Sequence, residues 1–204
     1  MTFDKLPFNW FDIALLVVLF FGLRQGRKNG LSVELLGVFK WGAIVFGCAF
    51  AYVPVANLLI ANSTLFSLFA ANLMAYIAVG LLITAVFASM KKAINGKLIG
   101  SDAFGSGEFY LGMMAGLVKF SCIAFVGLAL LNARFYSSAD IKASLDYQNK
   151  FYGSDFFPTL QTVQSQVFEK SLAGPWIKQQ LNWLLIKPTV PEPTRLARKE
   201  FSLP

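Results

Sequence analysis

The sequence predicts an all-α integral membrane protein with four transmembrane helices and a C-terminal extramembrane segment containing amphipathic helices. Three observations predict it. Only 14% of the 204 residues are charged and 56% are hydrophobic, whereas soluble domains carry about 25% charge. The apolar residues gather into four runs, and the mean hydropathy is +0.57. The cations collect between those runs, as they do in the cytoplasmic loops of membrane proteins. In lipid each backbone group needs a partner within the protein, which leaves helices or a closed barrel. The alternating pattern of a barrel is absent.

The first run, Trp10–Leu23, has 14 residues. As a helix it covers about 21 Å, short of the roughly 30 Å hydrocarbon core. Arg24, Arg27 and Lys28 follow it, so it reads as a retained span; a cleavable signal carries its charges ahead of the apolar region. The stretch 24–30 holds three cations and two glycines and reads as a basic loop. The second run, Leu31–Val53, is ended by Pro54. The third, Leu65–Met90, is ended by Lys91 and Lys92, and the fourth, Phe109–Leu131, by Asn132 and Arg134. These runs place a membrane domain over residues 1–132. The loops after the first and third runs are basic and the stretch 54–64 is uncharged, so both basic loops are expected in the cytoplasm and both termini outside.

Residues 133–187 are more polar and read as amphipathic helices outside the membrane. Leu160, Val163, Val167 and Leu172 share a face of a helix expected to start at Pro158 and stop at Gly174. A second helix, 175–187, carries Trp176 and Trp183 as expected interface anchors, or packs on the membrane domain or a neighbouring subunit. Residues 188–204 form a proline-spaced basic tail. Within the spans, small residues recur every fourth position: Ala43, Gly47 and Ala51, then Ala71 and Ala75, then Gly112 and Gly116. Such spacing lets helix backbones approach closely.

Composition excludes several functions. With no histidine there is no zincin motif, no Ser-His-Asp triad and no imidazole shuttle. No cofactor, no metal and no enzymatic activity is expected. The net charge of +7 does not form the single stripe that nucleic-acid binding needs. Cys48 and Cys122 lie inside apolar runs and read as small packing residues, not a disulfide framework.

Ionisable residues inside spans are costly and mark candidate sites. Glu34 lies about one turn into the second run, and Lys40 and Lys119 lie about 13 and 15 Å into theirs. They predict a polar pocket near the cytoplasmic side made by Glu34, Lys119 and one of Arg24 or Arg27; the alternative is an anchor network that fixes helix register. Asp12 suits a solvated helix start, and Asn72 suits an interhelical hydrogen bond. The glycine-rich stretch 100–107 lacks the lysine and helix context of a phosphate loop and reads as a turn.

Gly30-x3-Glu34-x6-Trp41-Gly42, followed by Gly100-Ser101-Asp102 and then Gly112-x3-Gly116-x2-Lys119, resembles the colicin V production protein (CvpA) family over roughly residues 10–132. Arg27, Gly30, Glu34, Trp41, Asp102, Gly112, Gly116 and Lys119 occupy matching positions. The chain differs in having Asn29 before the glycine, a longer gap from Asp102 to Gly112, and Phe120 after the lysine. The resemblance implies a bacterial inner-membrane protein tied to toxin production or export and to envelope homeostasis. With the packing faces and the short first span, this predicts a non-enzymatic protein that works in the bilayer, assembled with itself or with other membrane subunits. The alternative is an oligomeric channel or small-solute transporter with a polar path at Glu34, Lys40 and Lys119.

Overall fold

The computed structural model describes residues 9–62, 66–94, 105, 107–136, 138–152 and 159–190. The described residues are helical, with one isolated pairing between Arg134 and Thr189. Three helices are long and apolar enough to cross a membrane: α1 (Trp10–Asn62), α2 (Leu68–Ile94) and α3 (Gly107–Asn132). The shorter helices α4 (Ser138–Tyr152), α5 (Leu160–Phe168) and α6 (Ala173–Gln180) follow, with a 3₁₀ turn at Asn182–Leu184.

The first two apolar runs belong to the single 53-residue helix α1, broken at Gly30. Residues 24–29, expected as a loop, are helical, and only Gly30 leaves the helical region, with φ 74° and ψ 169°. Glycine reaches positive φ without the steric penalty of a Cβ. The first half of α1 therefore runs 20 residues, Trp10 to Asn29, about 30 Å. It is not the under-length segment that hydropathy suggests, because the charged residues that end the apolar run continue the helix.

The break reverses the chain. Gly22 meets Gly116 and Phe120, while Gly37 meets Lys119. In one straight helix residues 22 and 37 would stand about 22 Å apart. Both meet α3 within five residues, so the two halves of α1 fold back on each other beside it, the first half antiparallel to α3 and the second parallel.

Pro54 does not end the helix. α1 continues to Asn62 with Pro54 exposed. The second half, 32 residues from Leu31, is about 48 Å long and outreaches a hydrocarbon core of roughly 30 Å. Its far end is covered by the C-terminal segment. Ile44, Cys48, Tyr52 and Ala56 of α1, Ala71, Ala75 and Tyr76 of α2, and Leu128 and Ala129 of α3 form one buried cluster with Val167, Phe168, Leu185 and Ile186. Ala71 and Ala75 are fully buried, so their lack of bulk lets α2 sit close.

The C-terminal helices differ from expectation. α5 starts on the Thr159 cap, whose hydroxyl accepts the Thr162 N–H, and ends at Phe168. Leu172 therefore leaves the face that Val163 and Val167 occupy, and both Leu160 and Leu172 are exposed. Gly174 does not stop a helix but lies inside α6, buried against the Val167 carbonyl and the Ser171 hydroxyl. The second helix shrinks to α6 and a 3₁₀ turn. Pro188 to Val190 turn back toward the fold: the Phe135 N–H donates to the Thr189 carbonyl and the Thr189 N–H to the Ala133 carbonyl. The tail beyond residue 190 lies outside the described residues.

Candidate functional site

The site is built where the break in α1 meets α3. Gly22, Gly26 and Gly30 recur every fourth residue on α1, and Gly112 and Gly116 do so on α3. They face each other in antiparallel order. A Cβ on Gly112 would stand 2.5 Å from the Gly26 carbonyl oxygen, and one on Gly22 would stand 2.8 Å from that of Gly116. Cβ atoms on Gly26 and Gly116 would collide with the carbonyls of Gly112 and Gly22. The helices touch backbone to backbone, which membrane helices use in place of a hydrophobic driving force.

At the end of this seam the reversal exposes new helix N–H groups, since the first turn of any helix lacks intrahelical acceptors. Glu108 answers this need from the opposite helix. Its carboxylate lies against Gly30 and accepts the Ser32 N–H at 3.3 Å. A negative side chain at a helix start is also favoured by the helix dipole.

One turn further, Glu34 is 2% exposed and uses both carboxylate oxygens. Lys119 Nζ donates to Oε2 at 2.6 Å, and Asn29 Nδ2 donates to Oε1 at 2.6 Å. Gly37 makes room for the lysine stem, since a Cβ there would stand 3.1 Å from Lys119 Cδ. The ammonium also lies 5.3 Å from the centre of the Phe120 ring. The arrangement neutralises two charges at the seam and ties α3 to both halves of α1. Removing one partner of such a pair leaves an uncompensated buried charge.

The predicted residues divide accordingly. Glu34 and Lys119 are in contact, as are Gly30, Gly112 and Gly116 with their facing helices. Arg24 and Arg27 are exposed, and the place assigned to one of them beside Glu34 is taken by Asn29. The reason is register: helical continuation through residue 29 turns the arginines outward. Lys40 is absent from the pair and lies 5.1 Å from the Trp41 ring centre. Gly47 packs against Ile83 of α2. Trp176 and Trp183 are exposed, and Trp183 stacks near Phe46 and Phe50 with ring centres 6.1 and 5.9 Å apart. Asp102 lies outside the described residues. Gly22, Gly26, Asn29, Gly37 and Glu108 escape the sequence reading, although the Gly22-x3-Gly26-x3-Gly30 spacing was a usable signal.

A second polar cluster joins the two ends of the described chain. Asp12 is 5% exposed and is not the solvated helix start the sequence suggests. Its carboxylate accepts the N–H groups of Asn9, Leu172 and Ala173 at 3.0, 3.1 and 3.3 Å. Asn9 Nδ2 donates to the Gln166 carbonyl, and the Trp10 indole N–H donates to the Gln166 side chain. Nearby, the Tyr52 hydroxyl accepts the Lys187 N–H at 3.2 Å.

The sequence matches the colicin V production protein family over residues 11–165. The chain belongs to that family. No curated protein and no solved structure matches it. The family match reaches past the membrane helices through α4 and into α5, and it includes every residue of the glycine seam and the Glu34–Lys119 pair. It ends before Gln166, Leu172, Ala173 and Lys187, so the partners that hold Asp12 and Tyr52 lie beyond the matched region. As a member of the family with apolar helices of spanning length, the chain is a multi-pass membrane protein with a role in toxin production.

Proposed function

We propose that this protein is a non-enzymatic component of the bacterial inner membrane that supports toxin production or export and envelope homeostasis as part of a homo- or hetero-oligomeric assembly. In this reading the two halves of α1 are separate spans and the chain crosses the bilayer four times. The Gly30 reversal lies on the cytoplasmic side with the cations of residues 24–28, and the C-terminal helices lie on the periplasmic side with both termini. The 20-residue first half and the reversal at Gly30 support four crossings.

The observation that carries the assembly is Lys40. It lies ten residues beyond Gly30, about 15 Å along the helix and midway through a hydrocarbon core of roughly 30 Å. Among the described residues no acid pairs with it; its described partner is the Trp41 ring. A lysine at that depth costs about 2.5–3.5 kcal/mol by insertion scales. A neighbouring subunit that supplies an acid or a hydrated contact removes that cost. Native mass determination in mild detergent tests this. The expected species is heavier than the 22.5 kDa chain, and Lys40→Met lowers its share; a lone monomer overturns the assembly.

Lys40 also favours a second reading, an oligomeric channel or small-solute transporter in which it lines a wet path with Glu34 and Lys119. The closed α1–α3 seam supports the first reading, because it leaves no space for solute between those helices. Flux through liposomes holding the purified protein separates the two.

A further inference from the structure

Turning Arg24, Arg27 and Lys28 away from Glu34 leaves three cations to be accounted for. They stand at i, i+3 and i+4 on α1 and so share one face. All three are exposed and all three line one open cleft of about 610 Å³ whose opposite wall is Phe109, Tyr110 and Met113 of α3. The cleft lies beside the seam, where the two backbones meet at Gly26 and Gly112. Among the described residues no carboxylate pairs with these cations. Glu34 has both oxygens engaged by Lys119 and Asn29, and Glu108 is turned toward Gly30 and Ser32.

We infer that this cleft binds the headgroup of an anionic phospholipid. The two walls differ as the two parts of such a lipid differ. Guanidinium groups grip phosphate oxygens in bidentate fashion and the ammonium adds a point charge, while the aromatic and thioether wall offers an apolar surface for the glycerol and the first acyl carbons. The cleft sits beside the turn that joins the halves of α1, where long Arg and Lys side chains reach toward the headgroups. Basic pockets between membrane helices on the cytoplasmic side recognise such headgroups. Its volume is in the range of small-ligand pockets, larger than a bare phosphate needs. The inference rests on α1 crossing the membrane and not on the assembly.

Native mass spectrometry of the full chain, released from mild detergent with added phosphatidylglycerol or phosphatidylcholine, tests the inference. Phosphatidylglycerol adducts are expected to survive at about tenfold higher abundance than phosphatidylcholine adducts. Arg24→Gln/Arg27→Gln/Lys28→Gln removes that preference, and Phe109→Ala/Met113→Ala weakens retention of both lipids. Lys91→Gln/Lys92→Gln, which removes two exposed cations of α2 outside the cleft, leaves the preference intact. Should the triple variant lose its monodisperse elution, Arg24→Gln/Arg27→Gln serves in its place. Equal retention of the two lipids overturns the inference, as does equal loss in the α2 variant. Full displacement of phosphatidylglycerol by millimolar inorganic phosphate also overturns it, because it marks a small-anion site. The same spectra count subunits separately, so failure of the assembly leaves the lipid result readable.

Discussion

The two ends of the bundle are held together by opposite means. At the Gly30 end, α1 and α3 meet through backbone, with five glycines in register and one buried ion pair. At the other end, side-chain volume does the work: Tyr52, Val167, Phe168, Leu185 and Ile186 fill the space and Asp12 ties the layers with hydrogen bonds. The first end cannot accept added atoms, and the second cannot spare the ones it has. A close backbone seam suits a segment whose position must not vary. A side-chain cap can be rebuilt from many residues, which fits its reaching beyond the family match.

The largest expected effect breaks the ion pair. Lys119→Met leaves Glu34 buried without its cation and should cost about 3–5 kcal/mol, read as a loss of stability in detergent. Glu34→Gln/Lys119→Met should cost less than the sum of the single changes; additive effects would remove the direct coupling. Next comes added bulk. Gly26→Ala or Gly116→Ala should cost about 2–3 kcal/mol, because the new methyl meets a carbonyl that a packed helix cannot withdraw. Thermal unfolding followed by circular dichroism reports it.

At the capped end, Asp12→Ala strips three N–H groups of their acceptor. Hydrogen bonds to a charged group contribute about 1.5–3 kcal/mol, so a loss near 2 kcal/mol is expected there. Faster proteolysis around residues 166–173 should accompany it, and unchanged cleavage would show that the cap holds without Asp12. The smallest effect has the opposite sign. Gly127 of α3 has open space around it, so Gly127→Ala should stabilise by up to about 1 kcal/mol through helix propensity. A destabilised Gly127→Ala would mean that seam and surface glycines are not distinct.

The sequence showed the membrane class and the apolar runs plainly, because hydropathy reports burial in lipid directly. It also brought Glu34 and Lys119 together, since the cost of a charge in a span demands a partner. It obscured the stretch 24–29, where charge interrupts hydropathy while the helix continues beneath it. Reading residues 24–30 as a loop hid Gly22-x3-Gly26-x3-Gly30 as a packing motif and hid Asn29 as the second ligand of Glu34. Pro54 misled for a related reason: an exposed proline near the end of a long helix removes one hydrogen bond without ending the helix. α4 and the true limits of α5 were not legible, because short helices take their ends from caps and tertiary contacts such as Thr159 and Val167–Gly174.

The bond from Asp12 to Leu172 spans 160 positions of the chain, and that separation is also an interval of time. At about 5–20 residues per second of synthesis, Asp12 is made roughly 8–32 s before its partner exists. The hairpin of α1 and its seam with α3 can form during that interval, because all their residues lie before position 133. The cap can close only after residues 172 and 173 have been made. Until then the glycine seam holds α1 against α3, and the Asp12 carboxylate lacks its Leu172 and Ala173 donors.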